Sequence, residues 1–183
     1  MQIADFKINS SSPVFIIAEM SANHNGDLET AIETIRAAKR AGANCIKLQT
    51  YTPDTITIDS AQEDFLIDGT IWHGKNLYKL YQEAYTPWEW HEQLFKVANE
   101  EGLICFSSPF DKTAVDFLET LNVPAYKIAS FEITDIPLIE YVASKGKPVI
   151  ISTGISDLSD IELALATLRD SGQKDIIILK CTT

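Results

Sequence analysis

Short apolar runs that read as strands alternate with amphipathic stretches that read as helices, and the alternation repeats about six times along the chain. Strand followed by helix, over and over, is the pattern of a parallel sheet with its crossover helices packed outside it. The strand runs fall at residues 14–20, 45–51, 103–108, 125–130, 148–153 and 175–182. Helices are expected over 28–41, where Leu28, Ile32, Ile35 and Ala38 recur at helical spacing ahead of Gly42, and from Thr86-Pro87, with Thr86 as N-cap, to near Gly102. Others are expected over 111–121, from Asp135 with Pro137 to Lys145, and within 157–171; the sixth strand has no helix after it. Residues 2–8 suggest a short strand or hairpin arm, and 14–20, continuously apolar, a strand buried on both faces.

One long excursion, residues 52–86, interrupts this economy. Phe65-Leu-Ile-Asp-Gly-Thr-Ile-Trp72 reads as a small hairpin turning at Asp68-Gly69, and 76–84 as a helix. Loops of this length in a compact domain are usually functional. Two architectures accommodate the pattern. A doubly wound open sheet is complete with six strands, whereas a (β/α)8 barrel needs two more units and typically about 250 residues. No G-x-G-x-x-G follows the first strand, where His24-Asn25-Gly26 stands instead, and polar residues close nearly every strand at its C-terminal end. The expectation is therefore an α/β fold, a (β/α)8 TIM-type barrel, incomplete, with about six units.

Composition bounds the function. A net charge of −11 argues against a nucleic-acid surface but leaves room for a small anionic ligand held by a few focused lysines. No apolar run has the length of a membrane span, and no basic-then-apolar signal pattern stands at the N-terminus. Three cysteines in apolar runs (Cys45, Cys105, Cys181) suit reduced thiols and a cytoplasmic location.

The candidate site residues stand at strand exits. Ala125-Tyr-Lys-Ile-Ala-Ser-Phe-Glu132 sets Lys127 between apolar neighbours, and Cys45-Ile-Lys-Leu-Gln-Thr50 does the same with Lys47, which shares a strand face with Gln49. A buried ammonium is costly without an anion. Two such lysines on separate strands supply point charges for a phosphate or carboxylate, although an edge strand with its lysine in water gives the same pattern. Ser107-Ser108-Pro109, Ser130 and Ser152-Thr153-Gly154 each follow a strand and add donors, or else are ordinary turn and cap residues. Glu19 and Glu132 close two strands, either balancing the lysines or acting as general acid or base. Asn23 and His24 lie in a polar loop after the first strand, a candidate sugar-side loop. The three histidines are not spaced as a metal cluster, so no metal ligand is assigned in this chain. Trp72, Tyr78, Tyr81, Tyr85, Trp88 and Trp90 read as packing for the excursion, or else as the lining of a sugar site.

Taken together, Ile16-Ile-Ala-Glu-Met-Ser-Ala-Asn-His-Asn-Gly26, Ile46-Lys-Leu-Gln-Thr50, Phe106-Ser-Ser-Pro-Phe-Asp111, Tyr126-Lys-Ile-Ala-Ser-Phe-Glu132 and Ile150-Ile-Ser-Thr-Gly154 resemble the sialic acid synthase family. Ala18-Glu-Met-Ser-Ala-Asn23 and Tyr85-Thr-Pro-Trp-Glu-Trp90 look most like its pseudaminic acid branch. The resemblance implies a transferase on a (β/α)8 barrel that condenses phosphoenolpyruvate with an N-acetylated amino sugar, releasing phosphate and forming a nonulosonic acid. It implies that Lys47, Gln49, Ser108, Lys127, Ser130 and Ser152 hold phosphoenolpyruvate, and that Glu19 and Glu132 lie near the sugar and the reacting carbons. It also implies a divalent metal, manganese or magnesium, held by two histidines beyond the last strand, a C-terminal antifreeze-like domain and a homo-oligomer. Those histidines, that domain and two strand-helix units have no counterpart in the 183 residues, so the chain is expected to be the N-terminal portion of such a synthase, inactive alone. Two other readings use the same residues: an aldolase with a Schiff-base lysine at Lys127 or Lys47, and a non-catalytic anion-binding fragment.

Overall fold

The structure, a computed structural model, describes residues 1–69 and 72–181. Gln2–Ile3 (β1) and Phe6–Lys7 (β2) pair antiparallel as the expected arm. Six further strands then form one all-parallel sheet: Ile17–Glu19 (β3), Cys45–Thr50 (β4), Ile104–Pro109 (β5), Tyr126–Ile128 (β6), Val149–Ser152 (β7) and Ile176–Leu179 (β8). Helices Leu28–Arg40 (α1), Pro53–Ile56 (α2), Leu77–Ala84 (α3), Trp88–Glu100 (α4), Lys112–Thr120 (α5), Ile136–Ala143 (α6) and Leu158–Asp170 (α7) fill the connections. The aspartates preceding α1, α5, α6 and α7 (Asp27, Asp111, Asp135, Asp157) each accept a hydrogen bond from the first-turn backbone. Such a cap contributes about 0.5–2 kcal/mol.

Strand order decides between the two architectures. The strands neighbour one another strictly in chain order, without the reversal a doubly wound sheet requires. Burial adds the curvature. Ile46, Leu48 and Cys105 pack with α1 and α4, and Tyr126, Ile128, Val149 and Ile151 with α5, α6 and α7. The alternate residues Cys45, Phe106, Ala125 and Ile150 share a separate cluster with Ile3 of the arm, and Ile17, Ile104 and Ile177 pack against it. Residues from the whole row of strands fall in one cluster with an isoleucine of the arm only if the sheet curls. The chain is a curled half-barrel, helices outside, its inner floor plugged by the N-terminal arm.

The structure corrects three local expectations. The first strand is short and is not buried on both faces: Val14 is 79% and Ile16 51% exposed, because β3 is an edge of the sheet with β4 as its one neighbour. Helix α4 starts one residue late, with Pro87 at the cap position (φ −52°, ψ 132°), since the Thr86 hydroxyl is turned to His24. The expected hairpin at 65–72 is instead a 3-10 turn, Glu63–Phe65, then a single antiparallel bridge, Leu66 to Asn76, with Ile67 N donating to Lys75 O and Gly74 N to Ile67 O. Residues 70 and 71 of that stretch, and 182 of the last expected strand, lie outside the described residues.

Candidate active site

Strand alternation builds the site directly above the apolar floor. Two residues beyond Ile17, Cys45, Phe106, Ala125 and Ile150 on the same strand faces come Glu19, Lys47, Ser108, Lys127 and Ser152. The parallel register sets Glu19 beside Lys47 and Gln49 beside Ser108. One step along each strand thus replaces an apolar layer with a polar one.

Lys47 is 6% exposed, pairs with Glu19 Oε2 at 2.8 Å, and donates to Ser108 Oγ at 3.3 Å. Lys127, 5% exposed, donates to Ile128 O at 2.8 Å, and among the described residues no carboxylate forms an ion pair with it. Burial and then the like charge of Lys47 push its pKa down to about 8, against the smaller pull of Glu19, Cys181 and Glu132. A cation in this state is short of an anion.

Beyond Ala129 the chain enters a 3-10 turn, Ser130–Thr134. Ser130 lies against Gly154, the residue two past β7: a methyl group at Gly154 would overlap Ser130 Cβ and fall 2.6 Å from its Oγ. Only glycine permits that approach. Thr153 N donates to Leu179 O at 3.0 Å, so the exits of β6, β7 and β8 are drawn together. The half-buried Glu132 carboxyl is raised in pKa by burial, with Lys127 opposing, and its Oε2 is buried without a hydrogen-bond partner. Tyr81 of α3 is near enough for the Glu132 charge to add to the burial that raises its phenol.

The predicted residues Glu19, Lys47, Gln49, Ser108, Lys127, Ser130, Glu132 and Ser152 therefore fall on one concave mouth. Asn23 is exposed, with Nδ2 donating to Met20 O at 2.8 Å. His24 is turned into the helix layer: fully buried, it meets Thr86 Oγ1 at 3.2 Å and the edge of Trp90. Sequence reasoning missed Cys181, whose thiol is lowered in pKa by hydrogen bonds from Ser152 and then the Gly154 N–H, with a smaller pull from Lys127. The signal was available, since Cys181 stands two residues past β8, a strand exit like the others. Tyr81 carried no such signal, because its place beside Glu132 depends on the folding of the excursion.

The residues present do not make a divalent-metal site. Among the described residues no three His, Cys, Asp or Glu side chains cluster for one. Both ring nitrogens of His24 and of His91 are engaged, and Glu19 is bound to Lys47. A cavity of about 680 Å³ opens at the opposite end of the sheet, lined by Asp5, Phe95, Leu103, Cys105, Pro124 and Lys147 among others. Its lysine is already paired with Glu119 at 2.6 Å, so it does not compete with the mouth for an anion. Among the described residues no helix is long and apolar enough to cross a membrane.

Comparison with known proteins gives a consistent picture. The sequence profile of the NeuB family matches residues 34–183. A pseudaminic acid synthase of Campylobacter jejuni is 49% identical over 183 residues, all of this chain and 53% of that protein. A pseudaminic acid synthase of Helicobacter pylori is 49% identical over 171 residues, 93% of this chain and 50% of that protein. The crystal structure of an N-acetylneuraminic acid (sialic acid) synthetase from Leptospira borgpetersenii, in complex with citrate, superposes with a TM-score of 0.86 at 30% identity, covering all of this chain and 59% of that one. The chain spans about half the length of the curated relatives it matches.

Proposed function

The chain belongs to the NeuB family, and from that premise we propose that it carries the phosphoenolpyruvate half of a pseudaminic acid synthase-like site. The observation that carries the reading is Lys127: a buried ammonium without a paired carboxylate among the described residues, on the strand face it shares with Lys47 and within a mouth lined by the hydroxyls of Ser108, Ser130 and Ser152. Such a layer is complementary to a small compound dianion, whose phosphoryl and carboxylate oxygens each need donors. Lys47, Gln49, Ser108, Lys127, Ser130 and Ser152 hold phosphoenolpyruvate in this reading.

In the proposed reaction, C3 of phosphoenolpyruvate attacks the aldehyde carbon of an open-chain N-acetylated amino sugar. A carbon–carbon bond forms and the aldehyde oxygen takes a proton. Water adds to the oxocarbenium at C2, and the resulting centre expels inorganic phosphate to leave a 2-keto acid. Glu132, pushed by burial toward its protonated form and with Oε2 lacking a partner among the described residues, gives its proton to the aldehyde oxygen as the carbon–carbon bond forms and, as the carboxylate, then takes one from that water. Glu19, half-exposed and tied to Lys47, orients a sugar hydroxyl. The divalent ion implied by the family would supply electrophilic activation of the aldehyde. Among the described residues no ligand set for that ion is assembled.

Calorimetry on this chain tests the reading: phosphoenolpyruvate binds, and Lys127→Met weakens the binding by roughly ten- to 150-fold while the thermal transition is kept. Affinity unchanged by Lys127→Met overturns it. The depressed pKa of Lys127 also suits a Schiff-base aldolase, and a borohydride-trapped adduct with pyruvate would decide for that chemistry instead.

A further inference from the structure

We propose that His24 and His91 are positioning residues that clamp the two ends of the excursion, residues 52–69 and 72–86, and so fix Tyr81 against Tyr51 at the rim of the mouth. The excursion leaves the sheet after Thr50 and returns at Thr86, and each of these threonines is bonded to a buried histidine. Thr50 Oγ1 is 2.9 Å from His91 Nε2, and Thr86 Oγ1 is 3.2 Å from His24 Nε2. Both rings are fully buried. A third tie, Trp88 Nε1 donating to Tyr51 O at 3.1 Å, closes the gap between the two ends.

Backbone neighbours set the two imidazoles in opposite tautomers. Gly26 N donates to His24 Nδ1 at 3.1 Å, so that ring carries its proton on Nε2 and donates to Thr86. His91 Nδ1 faces the Pro87 carbonyl at 3.2 Å and must donate to it, so Nε2 accepts the Thr50 hydroxyl. Thr50 Oγ1 in turn accepts from Ser107, 2.7 Å away, which extends the chain of bonds to β5, next to Ser108. Above this base Tyr81 of α3 meets Tyr51 edge-on at 5.6 Å, and Tyr51 meets Phe110 at 5.3 Å. Tyr51 and Phe110 each directly follow a mouth strand. The clamp thus holds the base of the segment whose Tyr81 ring packs on Tyr51 at the rim of the mouth.

The inference does not depend on which ligand the mouth takes, and its test reads a motion rather than an activity. Hydrogen exchange followed by mass spectrometry on the whole chain compares asparagine and glutamine at each position. His24→Asn and His91→Asn keep a polar group where Nδ1 stood but cannot reach the threonine. His24→Gln and His91→Gln place one where Nε2 stood. Loss of one such hydrogen bond speeds opening by roughly three- to tenfold. The expected result is that acceleration in peptides of 52–69 and 72–86 for the asparagine variants, with β4 to β7 unchanged and the glutamine variants close to the parent. Thr50→Val and Thr86→Val remove the same bonds from the other side and should reproduce the effect if a histidine variant folds poorly. Equal behaviour of asparagine and glutamine variants, or acceleration spread over the sheet, overturns the proposal.

Discussion

The floor and the mouth of the half-barrel lie two residues apart on the same strands and use opposite physics. At the floor Cys45, Phe106, Ala125 and Ile150 close around Ile3, every one of them fully buried and apolar. At the mouth Lys47, Ser108, Lys127 and Ser152 are almost as buried, yet every one is polar. The floor gains free energy from burial, at about 25 cal/mol per Å² of apolar surface. The mouth gives some of it up, because Lys127 is desolvated beside a like charge. A fold can carry such a layer when the one beneath it is well packed, and the strained layer is then free to serve a ligand.

That contrast can be broken from either side. The largest effect is expected from Phe106→Ala, which should lower stability by about 3–5 kcal/mol in urea unfolding while leaving the mouth's side chains unchanged. Lys127→Met should do the reverse: phosphoenolpyruvate affinity lost by about 1.5–3 kcal/mol, the range of hydrogen bonds to charged groups, with stability kept or slightly raised in the same unfolding assay. Gly154→Ala should cost about 1–3 kcal/mol by overpacking against Ser130 and weaken anion binding. Ser130→Gly in the same chain should recover most of the stability and none of the binding.

The smallest effect, and the sharpest, is in pH. Lys127 titrates at about 8 in the folded chain, below its ordinary 10.5. Between those values the unfolded chain binds the proton that the folded chain has lost, so stability from this group rises with pH across the window. Anion affinity should fall as pH passes 8 upward. The difference between parent and Lys127→Met in thermal melts and in calorimetry isolates the two opposite slopes, and slopes of one sign would show that this lysine does not titrate there.

Much of this was legible in the residues. The recurring strand-helix units, the lysines set between apolar neighbours and the hydroxyls at strand exits depend on short-range pattern, and the structure brings those exits to one mouth. The edge character of β3 was not legible, because an apolar run looks the same whether one neighbour or two pair with it. Nor was the turn of His24 away from the mouth, since a polar loop does not disclose which of its side chains the next helix will cover.

By itself the sequence determined the parallel units, the period-two step from apolar floor to polar mouth, and the aspartate caps, because each rests on residues within a few positions of one another. Only the tertiary structure decided that the sheet curls around Ile3, that Ser130 needs a glycine at 154, and that two buried histidines close the base of the excursion. Those are contacts between segments tens of residues apart, and their geometry is set by how helices and strands pack together, which local spacing does not encode.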